Sequence, residues 1–118
     1  MYMKKFLAIY LGSAAALAEW RATDEKVRKG KEKAGMDGWI KWSKENEKSI
    51  IDNGTPLGKT KLINAKGISD TKNEIGGYAI VQAQSHEAAA KLFLNHPHFM
   101  LFPGDSVEVM ECLSIPGM

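Results

Sequence analysis

The stretch "GGYAIVQAQSHEAAAKLFLNHP" (residues 76–97) decides the fold, because it holds the clearest strand and the best-defined helix start of the chain. From Tyr78 to Gln84, small apolar residues alternate with larger, mixed ones, as in a strand whose two faces meet different surroundings. Ser85 then predicts the N-cap of an alanine-rich helix, and Pro97 predicts its end. The small-residue face of the strand is suited to close packing under helices.

The first residues predict a second central strand. The segment "KKFLAIYL" (residues 4–11) is continuously apolar after its two lysines, as expected of a strand inside a sheet. The N-terminus also resembles a signal peptide, but we favour the strand, because removing this segment would take a strand from an already small domain. Ser13 predicts the cap of an alanine-rich helix, which Gly30 and Gly35 are expected to interrupt.

The middle of the chain predicts a second helix and then weaker elements. Asp37 is the expected cap of a helix over "GWIKWSKENEKSII", and Asn53-Gly54 is its expected left-handed stop. The segment "KTKLINAKG" (residues 59–67) alternates weakly and predicts a strand, whereas "GISDTKNE" (residues 67–74) predicts a polar loop. The last strand is predicted over residues 106–113.

These elements predict an α+β fold made of a single domain, residues 1–118. When the two early helices are taken as one crossover, the order becomes βαββαβ, the ferredoxin-like arrangement, with an antiparallel sheet and helices on one face only. The opposite face, which carries Tyr78, Ile80 and Gln82, would then expose a large apolar patch. We therefore expect a second copy of the chain to cover it, forming a homodimer.

Four segments resemble the YCII-related, or DGPF-type, family: "MKKFLAIY", "NGTPLG", "TKNEIGGYAIVQAQSHEAAAKLFLNHP" and "SVEVMEC". The resemblance spans the chain except residues 13–35 and 98–105, and it implies a dimeric α+β barrel with a cleft between sheets and helices. The Asp-Gly-Pro-Phe motif of many members is not present upstream of the glycine pair. Some members resemble enzymes with an early His/Asp pair, but no histidine precedes His86 here, so that pair is not carried over.

Composition and charge exclude several functional classes. Sixteen basic and fourteen acidic residues give a net charge of +2, which is too balanced to predict a nucleic-acid partner. Cys112 is the only cysteine, so no intrachain disulfide and no zinc-ligand cluster is possible, and we expect a buried free thiol. A metal site at His96 and His98 lacks a third ligand, so we expect no metal centre, and we predict no cofactor. The single cysteine is compatible with the cytoplasm, where we expect the protein, and the N-terminal apolar run is too short to span a membrane.

The stretch "DNGTPLGKT" (residues 52–60) looks like a phosphate-binding loop but does not predict one. It is one residue shorter than the Walker A pattern, and Pro56 has no N–H group to offer a phosphate. A strand rather than a helix is predicted after it, so no helix dipole would point at the phosphate.

His98 and Asp105 are the candidate catalytic residues, because a His/Asp pair can do acid–base chemistry and their apolar loop could fold over a cleft. The alternative is an ordinary loop histidine. Polar residues inside the apolar stripe of the second helix indicate a wet cavity rather than a dry core. The candidate ligand-binding residues are Trp39, Ser43, Glu47, Tyr78 and Gln82.

Three functions remain open at this level. The leading prediction is a small-molecule-binding homodimer with a cleft between helices and sheet. The alternative is an enzyme that acts on a small aromatic or ketonic compound by acid–base chemistry. A third possibility is an assembly module that dimerises without a ligand. A fold of this kind hosts many activities, so the pattern names neither ligand nor reaction.

Overall fold

The computed structural model describes residues 2–100 and 103–117, which form six strands and four α-helices. The strands are β1 (Lys4–Leu11), β2 (Ile50–Asp52), β3 (Thr60–Asn64), β4 (Gly67–Thr71), β5 (Ile75–Ala83) and β6 (Ser106–Glu111). The helices are α1 (Ala14–Ala22), α2 (Glu25–Glu45), α3 (His86–Lys91) and α4 (Pro97–Met100), and a short 3-10 helix spans Glu47–Ser49.

Four strands form one antiparallel sheet in the order β2-β5-β1-β6. Helices α1 and α2 connect β1 to the edge strand β2, and α3 and α4 connect β5 to the other edge strand, β6. This is the strand order of the ferredoxin-like fold, so the predicted α+β class is confirmed. The two central strands are the two that the sequence pattern indicated most clearly.

The β3–β4 hairpin is an insertion into this fold, and here two predictions were wrong. The segment predicted as a strand, residues 59–67, holds β3, but β3 pairs only with β4, which falls in the predicted loop. The strand that completes the main sheet is Ile50–Asp52, which was predicted as the end of a helix. A three-residue strand has no periodicity to distinguish it from a helix end, so its pairing with β5 decides its conformation.

The break between α1 and α2 also differs from the prediction. Helix α2 runs without interruption through Gly30 and Gly35, because a single glycine costs a helix only about 1 kcal/mol. The chain leaves the helix at Thr23 instead, where the backbone is extended and the hydroxyl donates to the carbonyl of Glu19. Asp24 then precedes α2 as its N-cap residue.

Two predicted helix caps are confirmed. The hydroxyl of Ser13 accepts a hydrogen bond from the N–H of Ala16, and the hydroxyl of Ser85 accepts one from the N–H of Ala88, both at 3.1 Å. Each cap satisfies a backbone donor that has no partner inside the helix. The caps fix where α1 leaves β1 and where α3 leaves β5.

The core lies between the helices and one face of the sheet. Its buried residues alternate along the two central strands and continue on the helices: Phe6, Ala8, Tyr10, Ala79, Val81, Ala83, Trp42, Ala89 and Phe93. The indole N–H of Trp42 donates to the carbonyl of Leu92 at 2.7 Å, which ties α2 to the end of α3. Among the helices of the described residues, none is long and apolar enough to cross a membrane.

The opposite face of the sheet carries the residues of β1 and β5 that alternate with the buried ones. Leu7, Ile9, Tyr78 and Ile80 lie there and are only half-buried. The predicted division of β5 into two faces is therefore confirmed. The expectation of a buried thiol was wrong for the single chain: Cys112 follows the end of β6 and is exposed.

Candidate functional site

A cleft of about 920 Å³ opens between helix α2 and the end of the central strands. Its floor is formed by Tyr10 of β1 and the glycine pair Gly76-Gly77 of β5, and one wall is the α2 face around Trp39. The turn of residues 53–58 forms the facing wall. The lining carries far more apolar than polar surface, as is usual for small-molecule sites.

Two glycines allow the facing wall to pack on the sheet. Gly54 has a φ of +69°, and a Cβ built on it would lie 1.7 Å from the carbonyl oxygen of Tyr78. At Gly77, a Cβ would lie 3.2 Å from the carbonyl oxygen of Thr55, and Pro56 forms a β-bridge with Gly77. Gly54 and Gly77 therefore let this turn approach β5 closely beside the cleft.

Aromatic rings cluster behind the cleft. The ring of Tyr10 lies 4.8 Å from that of Trp39, measured between centroids, and 5.1 Å from each of the rings of His96 and His98. Trp39 meets His96 edge-on at 4.5 Å. Edge-to-face contacts of this kind hold aromatic side chains in fixed orientations, so the inner wall of the cleft is preorganised.

His98 borders the cleft as a neutral imidazole. Its Nε2 donates to the carbonyl oxygen of Leu11 at 2.8 Å, because a carbonyl can only accept. Burial lowers the pKa of His98 below the usual 6.5, while backbone hydrogen bonds with Leu11 and Ser106 and the charge of Asp105 act in the opposite direction. A Cβ on Gly104 would lie 2.2 Å from the ring, so the ring needs a glycine there.

Asp105 interacts electrostatically with His98, but its carboxylate is hydrogen-bonded to Ser13. Its carboxylate accepts a hydrogen bond from the N–H of Ser13 at 2.8 Å, and its own N–H donates to the carbonyl of Leu11. Hydrogen bonds from Ser13 lower the pKa of this exposed carboxyl, with a smaller contribution from His98. In the described chain, the hydrogen bonds of the two side chains go to Leu11, Ser13 and Ser106 rather than to each other.

His96 is fully buried. Its Nδ1 accepts the backbone N–H of His98 at 3.0 Å. Burial, followed by the charge of His98, lowers the pKa of His96 to about 3. Among the described residues, neither the Nε2 of His96 nor the hydroxyl of Tyr10 has a hydrogen-bond partner.

Tyr10 and His96 were both missed by sequence reasoning. Tyr10 stands at an inward position of the β1 alternation, which is also the pattern of an ordinary core residue. Before His96, Asn95 adopts a left-handed φ of +57°, a conformation that asparagine tolerates better than most residues. That turn directs the chain back toward the core, and only the asparagine hints at it in the sequence.

Four of the predicted site residues belong to the cleft lining: Trp39, Ser43, Tyr78 and His98. The hydroxyl of Ser43 donates to the side-chain oxygen of Asn53 at 3.1 Å, across the cleft mouth. Asp105 and the other two predicted ligand-binding residues lie outside the lining.

Glu47 and Gln82 are placed away from the cleft by the local structure. Glu47 is exposed in the 3-10 helix, and the amide of Gln82 donates to the carbonyl of Lys48 at 3.0 Å. The helix that would have carried Glu47 along the cleft ends at Glu45, which explains the difference from the predicted stripe. Within residues 2–100 and 103–117, no three His, Cys, Asp or Glu side chains lie together as a metal site requires.

The sheet order and the helices on one face define a ferredoxin-like α+β protein, with a cleft beside the glycine pair. A similar solved structure is 5-chloro-2-hydroxyhydroquinone dehydrochlorinase (TftG) from Burkholderia phenoliruptrix AC1100, in complex with 2,5-dihydroxybenzoquinone. The chains share 18% sequence identity with a TM-score of 0.51, and the match covers 90% of each. At this identity, the likeness shows the fold alone.

No family model matches the chain, and the search of curated proteins found no match. The resemblance to the YCII-related family therefore stays a prediction.

Proposed function

We propose that the protein is a homodimer that binds a small, flat cyclic compound, aromatic or quinone-like, in the cleft. The observation that carries this proposal is the aromatic-walled cleft of about 920 Å³. Small-molecule sites measure roughly 300 to 1,000 Å³ and are mostly apolar with a few placed polar groups. A cavity of this size filled with water would leave Trp39 and its neighbours in contact with solvent at a cost in free energy.

A flat ligand fits the chemistry of the walls. The glycine floor has no side chains to obstruct a ring, and the ring of Trp39 offers an aromatic surface. Ser43 and His98 lie at the rim and wall as the polar groups that could orient such a ring. The compound bound to TftG, 2,5-dihydroxybenzoquinone, is a ring of this class.

The homodimer is supported by the uncovered face of the sheet. Leu7, Ile9, Leu11 and Ile80 share this face and are only half-buried in the single chain, and Met110 beside them is 40% exposed. The Cα radius of gyration, 16.3 Å, exceeds the roughly 13 to 14 Å expected of a compact domain of this length. A second copy that packs sheet against sheet would cover the apolar face.

A second candidate function is an enzyme that acts on the bound compound by acid–base chemistry. One observation favours it: His98, which stays neutral at pH 7, borders the cleft within the electrostatic influence of Asp105. Its Nε2 is bonded to Leu11, so proton transfer would require that bond to open or the other ring nitrogen to act. Consumption of the bound compound by the wild type, with binding but no turnover in His98→Ala, would establish this function.

Native mass spectrometry of the purified protein tests the leading proposal. We expect a dimer that carries an added mass, lost on denaturation, or that gains mass from a panel of hydroxylated aromatic compounds. Trp39→Ala should lose this binding, whereas Trp20→Ala, a control on α1 outside the cleft, should keep it. A bare dimer that binds no member of the panel would favour the assembly module, and a monomer would contradict the sheet-to-sheet dimer.

A further inference from the structure

Two buried polar atoms lie next to the cleft without partners among the described residues: the hydroxyl of Tyr10 and the Nε2 of His96. Both side chains are inaccessible to solvent, with 2% of Tyr10 and none of His96 exposed. Buried polar groups in native proteins are almost always hydrogen-bonded, so two neighbouring exceptions require an explanation. Their rings pack against each other with centroids 5.1 Å apart, so the two side chains are direct neighbours.

The hydrogen-bonding state of His96 follows from its contacts. Its Nδ1 accepts the backbone N–H of His98, so Nδ1 carries no proton. A neutral imidazole has one proton, which must then reside on Nε2. The unpartnered nitrogen of His96 is therefore a donor.

Tyr10 supplies a second donor. Burial raises the pKa of its phenol, so the hydroxyl keeps its proton at neutral pH. Two tryptophan rings lie beside the pair, with ring centroids 4.8 Å apart for Trp39 and Tyr10 and 4.6 Å apart for Trp42 and His96. The pair thus presents one O–H and one N–H donor, and among the described residues no acceptor bonds to either.

We propose that the Tyr10 hydroxyl and the His96 Nε2–H form a two-donor subsite that binds one acceptor oxygen of the cleft ligand. The ligand class is a ring that bears a carbonyl or phenolate oxygen, such as a cyclic ketone, a quinone or an ionised phenol. This inference rests on the proposed function and deepens it. Two donors that converge on one oxygen stabilise negative charge there, so an ionised oxygen binds more tightly than a neutral hydroxyl.

Tyr10 connects the subsite to the cleft, because its side chain belongs to both the aromatic cluster and the cleft floor. Neither donor atom is accessible in the single chain, so a ring on the glycine floor beside Trp39 brings its oxygen to the pair only when the Tyr10 and His96 rings part to admit it. The oxygen then satisfies both donors at once. A ligand that lacks the oxygen leaves both donors buried and unpaired. The subsite therefore selects among flat compounds of equal size.

Isothermal titration with 4-nitrophenol, above the pH at which it ionises, tests the subsite against nitrobenzene, which lacks the phenol oxygen. In the wild type we expect the phenolate to bind at least about tenfold more tightly than nitrobenzene, the effect of one or more charge-assisted hydrogen bonds. Tyr10→Phe should reduce this preference, because only the Nε2–H of His96 remains as a donor, while nitrobenzene binding stays the same. Phe93→Leu, beside both rings but without a polar atom, is the matched control and should keep the preference.

The absorbance of bound nitrophenol gives an independent readout, because two donors lower the pKa of the bound phenol relative to the free compound. If Tyr10→Phe does not fold, an NMR measurement on the wild type takes the place of this variant. The ¹⁵N-coupled Nε2–H signal of His96 must then shift when 4-nitrophenol is added. Equal binding of both probes in the wild type, or an unshifted signal, overturns the subsite but leaves the cleft function standing. Absence of binding by either probe overturns both.

Discussion

Single residues around the cleft derive their chemistry from burial rather than from charge partners. His96, His98 and Tyr10 all have pKa values displaced in the direction of the neutral form, and burial is the largest cause for each. Asp105 is the opposite case, an exposed carboxylate held ionised by hydrogen bonds from Ser13. The aromatic end of the cleft therefore carries neutral titratable side chains.

The buried histidines predict acid lability. Because the folded-state pKa of His96 is about 3 and the unfolded value is 6.5, the unfolded chain takes up a proton first as the pH falls. Stability should therefore decrease below pH 6.5, by up to about 1.4 kcal/mol per pH unit for this residue. His98, whose pKa is also lowered, adds to the slope in the same direction.

Urea unfolding between pH 7 and pH 5 measures this slope. His96→Asn keeps an acceptor for the N–H of His98 but has no proton to take up, so its slope should be smaller by up to the amount that His96 contributes. Equal slopes for the wild type and His96→Asn would show that His96 titrates normally in the folded protein.

Gly104 is predicted to set the position of His98. Gly104→Ala would place a Cβ 2.2 Å from the imidazole, so the ring must leave its contact with the Leu11 carbonyl. We expect a loss of roughly 1 to 3 kcal/mol in unfolding free energy, typical of overpacking, and a His98 pKa that returns toward 6.5.

An NMR titration of the histidine rings measures the second effect. Gly76→Ala is the control, since its Cβ would meet only an ordinary contact at 3.7 Å. A His98 pKa that is the same in wild type and Gly104→Ala would show that the ring does not depend on this glycine.

At the scale of elements, the turn between β2 and β3 shapes one wall of the cleft. It begins at Gly54, whose N–H donates to the side chain of Asp52 at 2.8 Å, and it packs on β5 through the bridge of Pro56 to Gly77. Helix α2 forms the other wall, because it continues unbroken to Glu45 and brings Trp39 over the floor. Neither wall exists without the central strands beneath it.

Gly54→Ala is expected to be strongly destabilising, by at least about 2 kcal/mol. It combines the cost of a left-handed conformation for alanine with a clash against the backbone of β5. Gly58→Ala, in the same turn with open space and no positive φ, should change stability little. Urea unfolding of both variants measures the difference, and equal effects would mean that the turn moves freely away from β5.

At the scale of the whole molecule, the helices cover one face of the sheet and leave the other open. The β3–β4 hairpin forms a separate two-stranded sheet, with Ile63 and Ile68 paired opposite each other and largely exposed. The single chain is accordingly spread over 52 × 45 × 18 Å. A sheet-to-sheet homodimer would turn this shape into a two-sided barrel with a buried centre.

Ile80→Lys should prevent that dimer, because a charge would be buried at the centre of the open face. Ile80 lies on β5 opposite Leu7, in the middle of the sheet. Leu94→Lys is the matched control, since Leu94 is 69% exposed and follows α3 in the helical layer. Light scattering after size-exclusion chromatography should find monomers of Ile80→Lys and dimers of Leu94→Lys. Dimeric Ile80→Lys would place the interface elsewhere.

The sequence by itself determined the central strands, the helix caps at Ser13 and Ser85, and from them the ferredoxin-like class. Each of these features depends on the side-chain alternation of one strand or on a cap four residues long, so it can be predicted from a short stretch of sequence. The sequence also predicted Trp39, Ser43, Tyr78 and His98 as site residues, and these four line the cleft.

Only the tertiary structure decided which weak segment became the edge strand and where the long helix broke. It also made Tyr10 and His96 neighbours whose hydroxyl and Nε2 have no hydrogen-bond partner in the described part of the chain. Ile50–Asp52 becomes a strand by pairing with β5, some thirty residues further along the chain. Tyr10 and His96 meet across more than eighty residues, each at a position that reads locally as core or helix end. Contacts between distant segments determine burial, and burial determines the hydrogen bonds and pKa values of the site.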